Sequence, residues 1–244
     1  MNKAIKDKVI VVTGANRGIG AAIVSTFLEE GASKVYLAVR DVNSTKDLES
    51  KFGDRVVTMQ ADVSSTQSIQ ALAEKTTDAN IVINNAGVGT PQATISDNVE
   101  EDFKFQLEVN AFGLLRVANA FANTLEKNKG VLVQLNSIAS MKNFAQVSTY
   151  SASKAASYSL TQGLRTELGA KGITVISVHP GPVATDMGKS AGFDGGATTE
   201  SVAKAIAAGI EQGVFHIFPD DMAKQVGSAY QSFAENIVLA DFSE

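Results

Sequence analysis

The chain has 244 residues, with 21 Lys and Arg against 26 Asp and Glu for a formal charge of -5, so it lacks the basic surplus that a nucleic-acid footprint needs. The absence of cysteine excludes disulfides and thiolate metal sites, and two histidines leave little for a zinc centre, so no metal is expected. Hydrophobic residues make up 44%, yet no apolar run approaches the roughly 20 residues that span a bilayer; with a charged start that leads straight into an apolar strand, the expectation is a cytoplasmic protein without a signal peptide or membrane partner.

Residues 8–13 form a short, nearly continuous apolar run, the pattern of a strand buried on both faces. The turn Thr13-Gly14-Ala15-Asn16-Arg17-Gly18-Ile19-Gly20 follows, and residues 21–30 then read as helix, ended by Gly31. Gly14 allows a sharp turn, Gly18 lets the backbone approach a pyrophosphate, and Gly20 permits close helix packing, while the helix N-terminus offers unpaired N–H groups. The plain alternative is a glycine turn chosen for its backbone angles. Its place between strand and helix favours a dinucleotide site, with Asn16, Arg17 and Ile19 among the contacts.

The second strand, residues 34–39, ends in Ala38-Val39-Arg40. Where an NAD site wants a carboxylate for the ribose hydroxyls stands Val39, followed by a cation, and Arg17 is a second cation able to reach the same region. Two arginines and no carboxylate at Val39 favour a 2′-phosphate, hence NADP(H) over NAD(H), although Asp41 blunts the case. After a helical stretch near 45–52 comes a third strand, 55–61. Asp62-Val63 beyond it is a candidate contact for an adenine amine and, with equal weight, a turn or cap.

Residues 65–75 read as helix with Ser64 or Ser65 as N-cap. Strand four, 81–83, is closed by Asn84-Asn85-Ala86-Gly87, whose small residues let a loop pass close to a ribose and whose amides can pin neighbouring backbone. Residues 97–127 form one long helix-periodic stretch, 130–136 a fifth strand, 149–168 a helix and 172–178 a sixth strand. A loop over 179–198, a helix over 200–212, a last strand over 214–218 and a helical tail over 220–239 complete the chain. Strand and helix alternate without linker or repeat. That predicts one α/β domain over 1–244, a doubly wound, Rossmann-like, mostly parallel sheet of about seven strands with helices on both faces and ligands beyond the strands' carboxyl ends.

Tyr150 and Lys154 lie one helical turn apart on one face. A free phenol titrates near pH ~10 and is a poor acid or base at neutrality, and an adjacent ammonium favours the phenolate. Taken alone, such a pair also decorates ordinary solvated helices.

In order and spacing, Thr13-Gly14-x-x-x-Gly18-Ile19-Gly20, Asp62-Val63, Asn84-Asn85-Ala86-Gly87, Asn110, Ser137, Tyr150-x-x-x-Lys154 and Pro180-Gly181 resemble the classical short-chain dehydrogenases/reductases over essentially the whole chain. The resemblance implies that Ser137 holds the substrate oxygen and that Tyr150 gives or takes the proton. It implies that Lys154 lowers the Tyr150 pKa and binds the nicotinamide ribose, and that Asn110 positions a water on a proton relay. Asp62, Val63, Asn85, Ala86 and Gly87 become cofactor contacts. The turn from Pro180 and Gly181 to Thr185 lies over the nicotinamide, with the Val183 backbone and the Thr185 hydroxyl near its carboxamide. A homodimer or homotetramer is implied, with the helices around Asn110 and Tyr150 in one interface. His179 and His216, for which motif and spacing offer no partner, read as structural.

The substrate is expected between loops 88–94, 138–144 and 186–199, lined by Met141, Phe144, Met187 and Phe193. With few cations there beyond Lys142 and Lys189, a neutral ketone or aldehyde suits better than a phosphorylated or polycarboxylate molecule. The expected activity is an NADPH-dependent carbonyl reductase, reversible as an alcohol dehydrogenase. One alternative is a 3-ketoacyl-thioester reductase with Lys127, Lys129 and Lys171 as docking charges for an acidic carrier. Another is a non-catalytic NADP-binding regulator, against which an intact Ser137, Tyr150 and Lys154 argue.

Overall fold

Seven strands, β1 (Val9–Thr13), β2 (Lys34–Val39), β3 (Val56–Gln60), β4 (Ile81–Asn84), β5 (Val131–Leu135), β6 (Thr174–Val178) and β7 (His216–Ile217), form one sheet in the order β3-β2-β1-β4-β5-β6-β7. They are seen in a computed structural model that describes residues 2–193 and 195–240. Every pairing is parallel, so the predicted doubly wound α/β sheet stands. Sequence order reverses between β1 and β4, where the two halves of the sheet run apart, and this switch point opens a crevice beyond the strands' carboxyl ends.

Among the described residues, nine helices flank the sheet: α1 (Gly18–Glu29), α2 (Lys46–Phe52), α3 (Thr66–Lys75), α4 (Val99–Leu107), α5 (Gly113–Asn128), α6 (Ser148–Gly169), α7 (Asp186–Ser190), α8 (Thr199–Gln212) and α9 (Asp221–Phe233). Because strand side chains alternate, the sheet feeds two cores. Ile10, Val12, Ile83, Val133 and Ile176 pack with Ile23 and Phe27 of α1 and Ile206 and Ile210 of α8. Val11, Val82, Leu132 and Val175 pack on the other face with Leu72, Leu114, Phe121 and Leu164. Phe27 and Phe121 are fully buried, and truncating such a ring to Ala costs about 3–5 kcal/mol.

Toward the carboxyl ends this second face turns polar. Thr13, Asn84, Gln134, Asn136, Ser177 and His179 continue the parity of Val11, Val82, Leu132 and Val175, and all are buried. The register sets Asn84, Gln134, Ser177 and His216 abreast on β4 to β7. Thr13 Oγ1 donates to Asn84 Oδ1 at 3.1 Å, Asn84 Nδ2 to Gln134 Oε1 at 2.7 Å, and Gln134 Nε2 to Ser157 Oγ on α6 at 3.1 Å. Asn136 Nδ2 donates to Ser177 Oγ at 2.9 Å and to Thr161 Oγ1 on α6 at 3.2 Å. An unpaired buried donor or acceptor costs about 1–3 kcal/mol, so this layer specifies how α6, with Tyr150 and Lys154, sits on the sheet.

The structure differs from expectation in four elements. The long helix over 97–127 is interrupted by a π-helical turn, Glu108–Phe112, between α4 and α5. Such a turn inserts one extra residue without disturbing the apolar pattern, so periodicity does not report it. The loop over 179–198 contains α7, whose Thr185 hydroxyl accepts from Gly188 N at 3.1 Å. The last strand has two residues rather than five, and the helical tail ends in a second π-helical turn, Ala234–Val238. No described helix is long and apolar enough to cross a membrane.

Candidate active site

The crevice at the switch point has a volume of about 880 Å³ and is lined from the ends of β1, β2, β3, β4, β5 and β6. Its floor begins at the glycine turn. Gly14 and Gly18 have φ of 63° and 53°, a left-handed backbone that favours glycine. A Cβ on Gly20 would stand 2.1 Å from the Gly14 carbonyl oxygen, so only glycine lets α1 start directly on the turn. Below it, Asn85 Nδ2 donates to the carbonyls of Thr13 and Gly14 at 3.0 and 3.1 Å, and Thr13 Oγ1 accepts from the amides of Asn85 and Ala86. Asn85 lines the crevice, but its carboxamide braces the turn. Bare glycine backbone, an α1 first turn without acidic residues and an open helix N-terminus together fit a dinucleotide pyrophosphate.

At the end of β2, Arg40 is exposed, lines the crevice and makes no ion pair among the described residues. Asp41 turns its carboxylate back onto Asn43, accepting from its backbone N at 2.9 Å and its Nδ2 at 3.2 Å. The acid feared as a competitor is therefore engaged in its own turn. Arg17 departs from expectation: it pairs with Asp186 of α7 at 3.3 Å, across the mouth of the crevice. Asp62 Oδ1 accepts from Ser64 N at 2.9 Å and Ser64 Oγ at 2.7 Å. The Ser64 hydroxyl, aided by the Arg40 charge, holds this carboxyl below its ordinary range. Asp62 is thus a turn acceptor that also lines the crevice beside Val63.

Ser137, one residue beyond Asn136 at the end of β5, and Tyr150 and Lys154 on α6 come together at the other end of the crevice. The Ser137 hydroxyl donates to the Pro180 carbonyl at 3.2 Å and faces the Tyr150 phenol. Lys154 is buried and donates to the Leu135 carbonyl at 2.7 Å, its Nζ 5.8 Å from the Tyr150 ring centre. Burial raises the Tyr150 pKa, with the Ser137 hydroxyl opposing part of the rise, and burial lowers Lys154 to about 8. The expected lowering of Tyr150 by the ammonium is absent here: burial sets the direction, and Lys154 is turned to the Leu135 carbonyl.

The family model for short chain dehydrogenase matches residues 8–194. The chain belongs to the short-chain dehydrogenase family. It is 35% identical over 212 residues to an uncharacterized oxidoreductase of Staphylococcus saprophyticus, covering 83% of this chain and 89% of that protein. It is 33% identical over 199 residues to the 7alpha-hydroxysteroid dehydrogenase of Escherichia coli K12, covering 78% and 76%. Among solved structures, a short chain dehydrogenase from Burkholderia cenocepacia in complex with NADP is 31% identical with a TM-score of 0.87, covering 97% of this chain and 99% of that one. This chain is therefore an oxidoreductase of that family.

Within this short-chain dehydrogenase, most expected site residues line the crevice: Gly14, Asn16, Arg17, Gly18, Ile19, Arg40, Asp62, Val63, Asn85, Ala86, Gly87, Ser137, Tyr150, Lys154, Pro180, Gly181, Val183 and Thr185, with Phe144, Met187 and Phe193 toward its mouth. Met141 does not: it closes the short 3-10 turn Ile138–Ser140 and packs on the core behind it. Asn110 lies behind the wall, in the π-helical turn. Its Oδ1 accepts from Val88 N at 2.9 Å, and its Nδ2 donates to Val88 O at 2.8 Å and Ser153 Oγ at 2.9 Å. Both ends of that carboxamide are occupied in tying loop 88 to α6. The Thr185 hydroxyl caps α7.

Two contributors had no forecast. A Cβ on Gly89 would lie 3.0 Å from the Tyr150 ring and 3.4 Å from Met187 Sδ, so bare backbone fixes the ring's edge. Asp220 accepts from Gly181 N at 2.7 Å and from Ala223 N at 2.9 Å, coupling α9 to the turn beside Pro180. An Asp ahead of a helical stretch is an N-cap signal; its second partner, 39 residues away, has none.

Proposed function

We propose that the protein is an NADP(H)-preferring carbonyl reductase, reversible as an alcohol dehydrogenase, in which Ser137, Tyr150 and Lys154 are the catalytic residues. The observation that carries this reading is the meeting of the Ser137 hydroxyl and the Tyr150 phenol, with Lys154 beneath them, at the end of the crevice away from Arg40. The glycine turn and the α1 amides would hold the pyrophosphate, Arg40 a 2′-phosphate, Asp62 and Val63 the adenine, and Lys154 the nicotinamide ribose. When bound, the cofactor supplies or accepts the hydride. The NADP complex of the Burkholderia relative supports the preference.

The chain's own groups handle the oxygen and its proton. Ser137 swings its hydroxyl from the Pro180 carbonyl to the substrate oxygen, stabilising negative charge as it develops there. Tyr150, kept protonated by burial, donates to the same oxygen in reduction and takes the proton back in oxidation. Phe144, Met187, Phe193 and Phe105 give the crevice apolar walls, which favour a neutral ketone or aldehyde.

The three lysines considered as carrier-docking charges offer the thioester reading no support. Lys127, Lys129 and Lys171 lie just ahead of β5 and β6, at the sheet edge opposite the crevice, and Lys171 pairs with Glu126 at 3.6 Å. A homodimer or homotetramer belongs to the proposal, and Phe112, 50% exposed on the π-helical turn, supports a face covered by a second copy.

NADPH consumption across a carbonyl panel that includes a ketosteroid and an acetoacetyl thioester tests the reading. Tyr150→Phe is expected to keep NADPH affinity within about threefold while kcat falls ~10²-fold or more. NADPH binding with no turnover of any panel member would return the regulator reading. Arg40→Asp is expected to move the NADPH-to-NADH preference by about tenfold or more toward NADH, since a charge-assisted bond is worth ~1.5–3 kcal/mol. An unchanged ratio would remove Arg40 from the cofactor site.

A further inference from the structure

We propose that His179, buried beneath the site, is a positioning residue for Ser137: its ring bonds the Ser137 carbonyl and so fixes where the Ser137 hydroxyl points. This rests on the reading above, in which Ser137 holds the substrate oxygen.

His179 has no solvent exposure and follows β6 directly. Its Nδ1 lies 3.2 Å from the Ser137 carbonyl oxygen and 3.1 Å from Ser140 Oγ, and its Nε2 lies 2.7 Å from Ser177 Oγ. Hydrogen-bond bookkeeping assigns the tautomer. The Ser137 carbonyl only accepts, so Ser140 Oγ, 2.5 Å from it, must direct its proton there. Ser140 then has none for the ring, and Nδ1 must carry the hydrogen that faces both Ser140 Oγ and the carbonyl. Nε2 is left an acceptor, served by the Ser177 hydroxyl, which in turn accepts from Asn136 Nδ2 at 2.9 Å. Burial holds the His179 pKa at about 3, so the ring stays neutral and this assignment persists at working pH.

The bond matters because of where the other donors come from. Ser137 is the N-cap of the 3-10 turn Ile138–Ser140, where the chain has left the sheet. Its carbonyl also accepts from Ser140 N at 2.9 Å, and both Ser140 donors move with the turn. The His179 ring reaches it from a separate strand. The ring cannot follow the turn either: Phe218 stacks on it at 5.4 Å and Tyr158 meets its edge at 4.7 Å. Next along the chain, the Pro180 carbonyl accepts from Ile138 N at 3.0 Å and from the Ser137 hydroxyl. His179 and Pro180 therefore hold the backbone of Ser137 and of its neighbour Ile138, and the Pro180 carbonyl parks the Ser137 hydroxyl until a substrate oxygen takes its place.

Asn and Gln separate the two ring nitrogens, since an Asn amide reproduces Nδ1 and a Gln amide reproduces Nε2. With the carbonyl found active in the panel, His179→Asn is expected to keep kcat within about threefold of wild type. His179→Gln, which reaches Ser177 but leaves the Ser137 carbonyl, is expected to lose about tenfold or more in kcat at unchanged NADPH affinity, the scale of a small misplacement of a catalytic group. In a Ser137→Ala background the difference between the Asn and Gln variants should vanish. Equal kcat for the two variants, or a difference that survives Ser137→Ala, overturns the proposal. Should His179→Gln fail to fold, Ser177→Ala, which leaves the carbonyl bond intact, decides: kcat within about threefold supports it, and a tenfold loss overturns it. If Ser137→Ala alone leaves kcat unchanged, the functional reading itself falls, an outcome distinct from the others.

Discussion

Burial acts on Tyr150 and Lys154 in opposite senses, and the directions bear on chemistry. The phenol is pushed up and stays protonated through neutral pH, while the ammonium is pushed down to about 8. A protonated phenol is the form needed to deliver a proton to a nascent alkoxide, as the reductive reading proposed above requires. Lys154 is charged below about 8 and neutral above. Reductive kcat/KM is accordingly expected to be level at neutral pH and to decline as pH rises through about 8, where the free enzyme loses the cation beneath Tyr150. A profile of kcat/KM with NADPH checks this, and a level line to pH ~10, the ordinary phenol range, would show that Lys154 takes no part in the titration.

Between elements, the site is held by side-chain braces: Asn85 under the glycine turn, Asn110 between loop 88 and α6, and Asp220 between α9 and Gly181. Asp220→Ala removes an N-cap and frees the Gly181 amide, so it should cost about 1–2 kcal/mol in urea unfolding and weaken NADPH binding. Asp220→Asn, which keeps an acceptor, should recover much of both. These braces also show what a single chain lets one read. Strands buried on both faces announce themselves as apolar runs, and the glycine turn and the Tyr150–Lys154 pair are local in sequence, so the sheet and most of the crevice were legible. The π-helical turn adds one residue to an unbroken pattern, α7 is too short to show a period, and the inward turn of Met141 beside the outward turn of Phe144 is decided by packing. The polar layer was within reach, because Thr13, Asn84, Gln134, Ser177 and His179 share one strand parity, yet that regularity shows only after the strands are aligned.

Across the whole molecule, the two halves of the sheet contribute different parts of the crevice: β1 to β3 carry the glycine turn, Arg40 and Asp62, while β5, β6 and α6 carry Ser137, Tyr150 and Lys154. The buried polar layer joins the halves, and it makes stability depend on acid. Burial lowers His179 to about 3 and His216 to about 4, so both are neutral in the fold, whereas in the unfolded chain each titrates near pH ~6.5. The unfolded chain then binds more protons than the folded one between those limits. The stabilising contribution is complete above pH ~6.5 and is lost as pH falls toward the folded values; for His179 alone the loss is roughly 3 kcal/mol between pH 8 and pH 4. Urea midpoints are therefore expected to be constant from pH ~8 to ~7 and to fall steadily below pH ~6, with a shallower acid slope in His179→Asn, which has no such proton to bind. An acid slope as steep in that variant as in wild type would mean that carboxylates, and not the ring under Ser137, govern unfolding in acid.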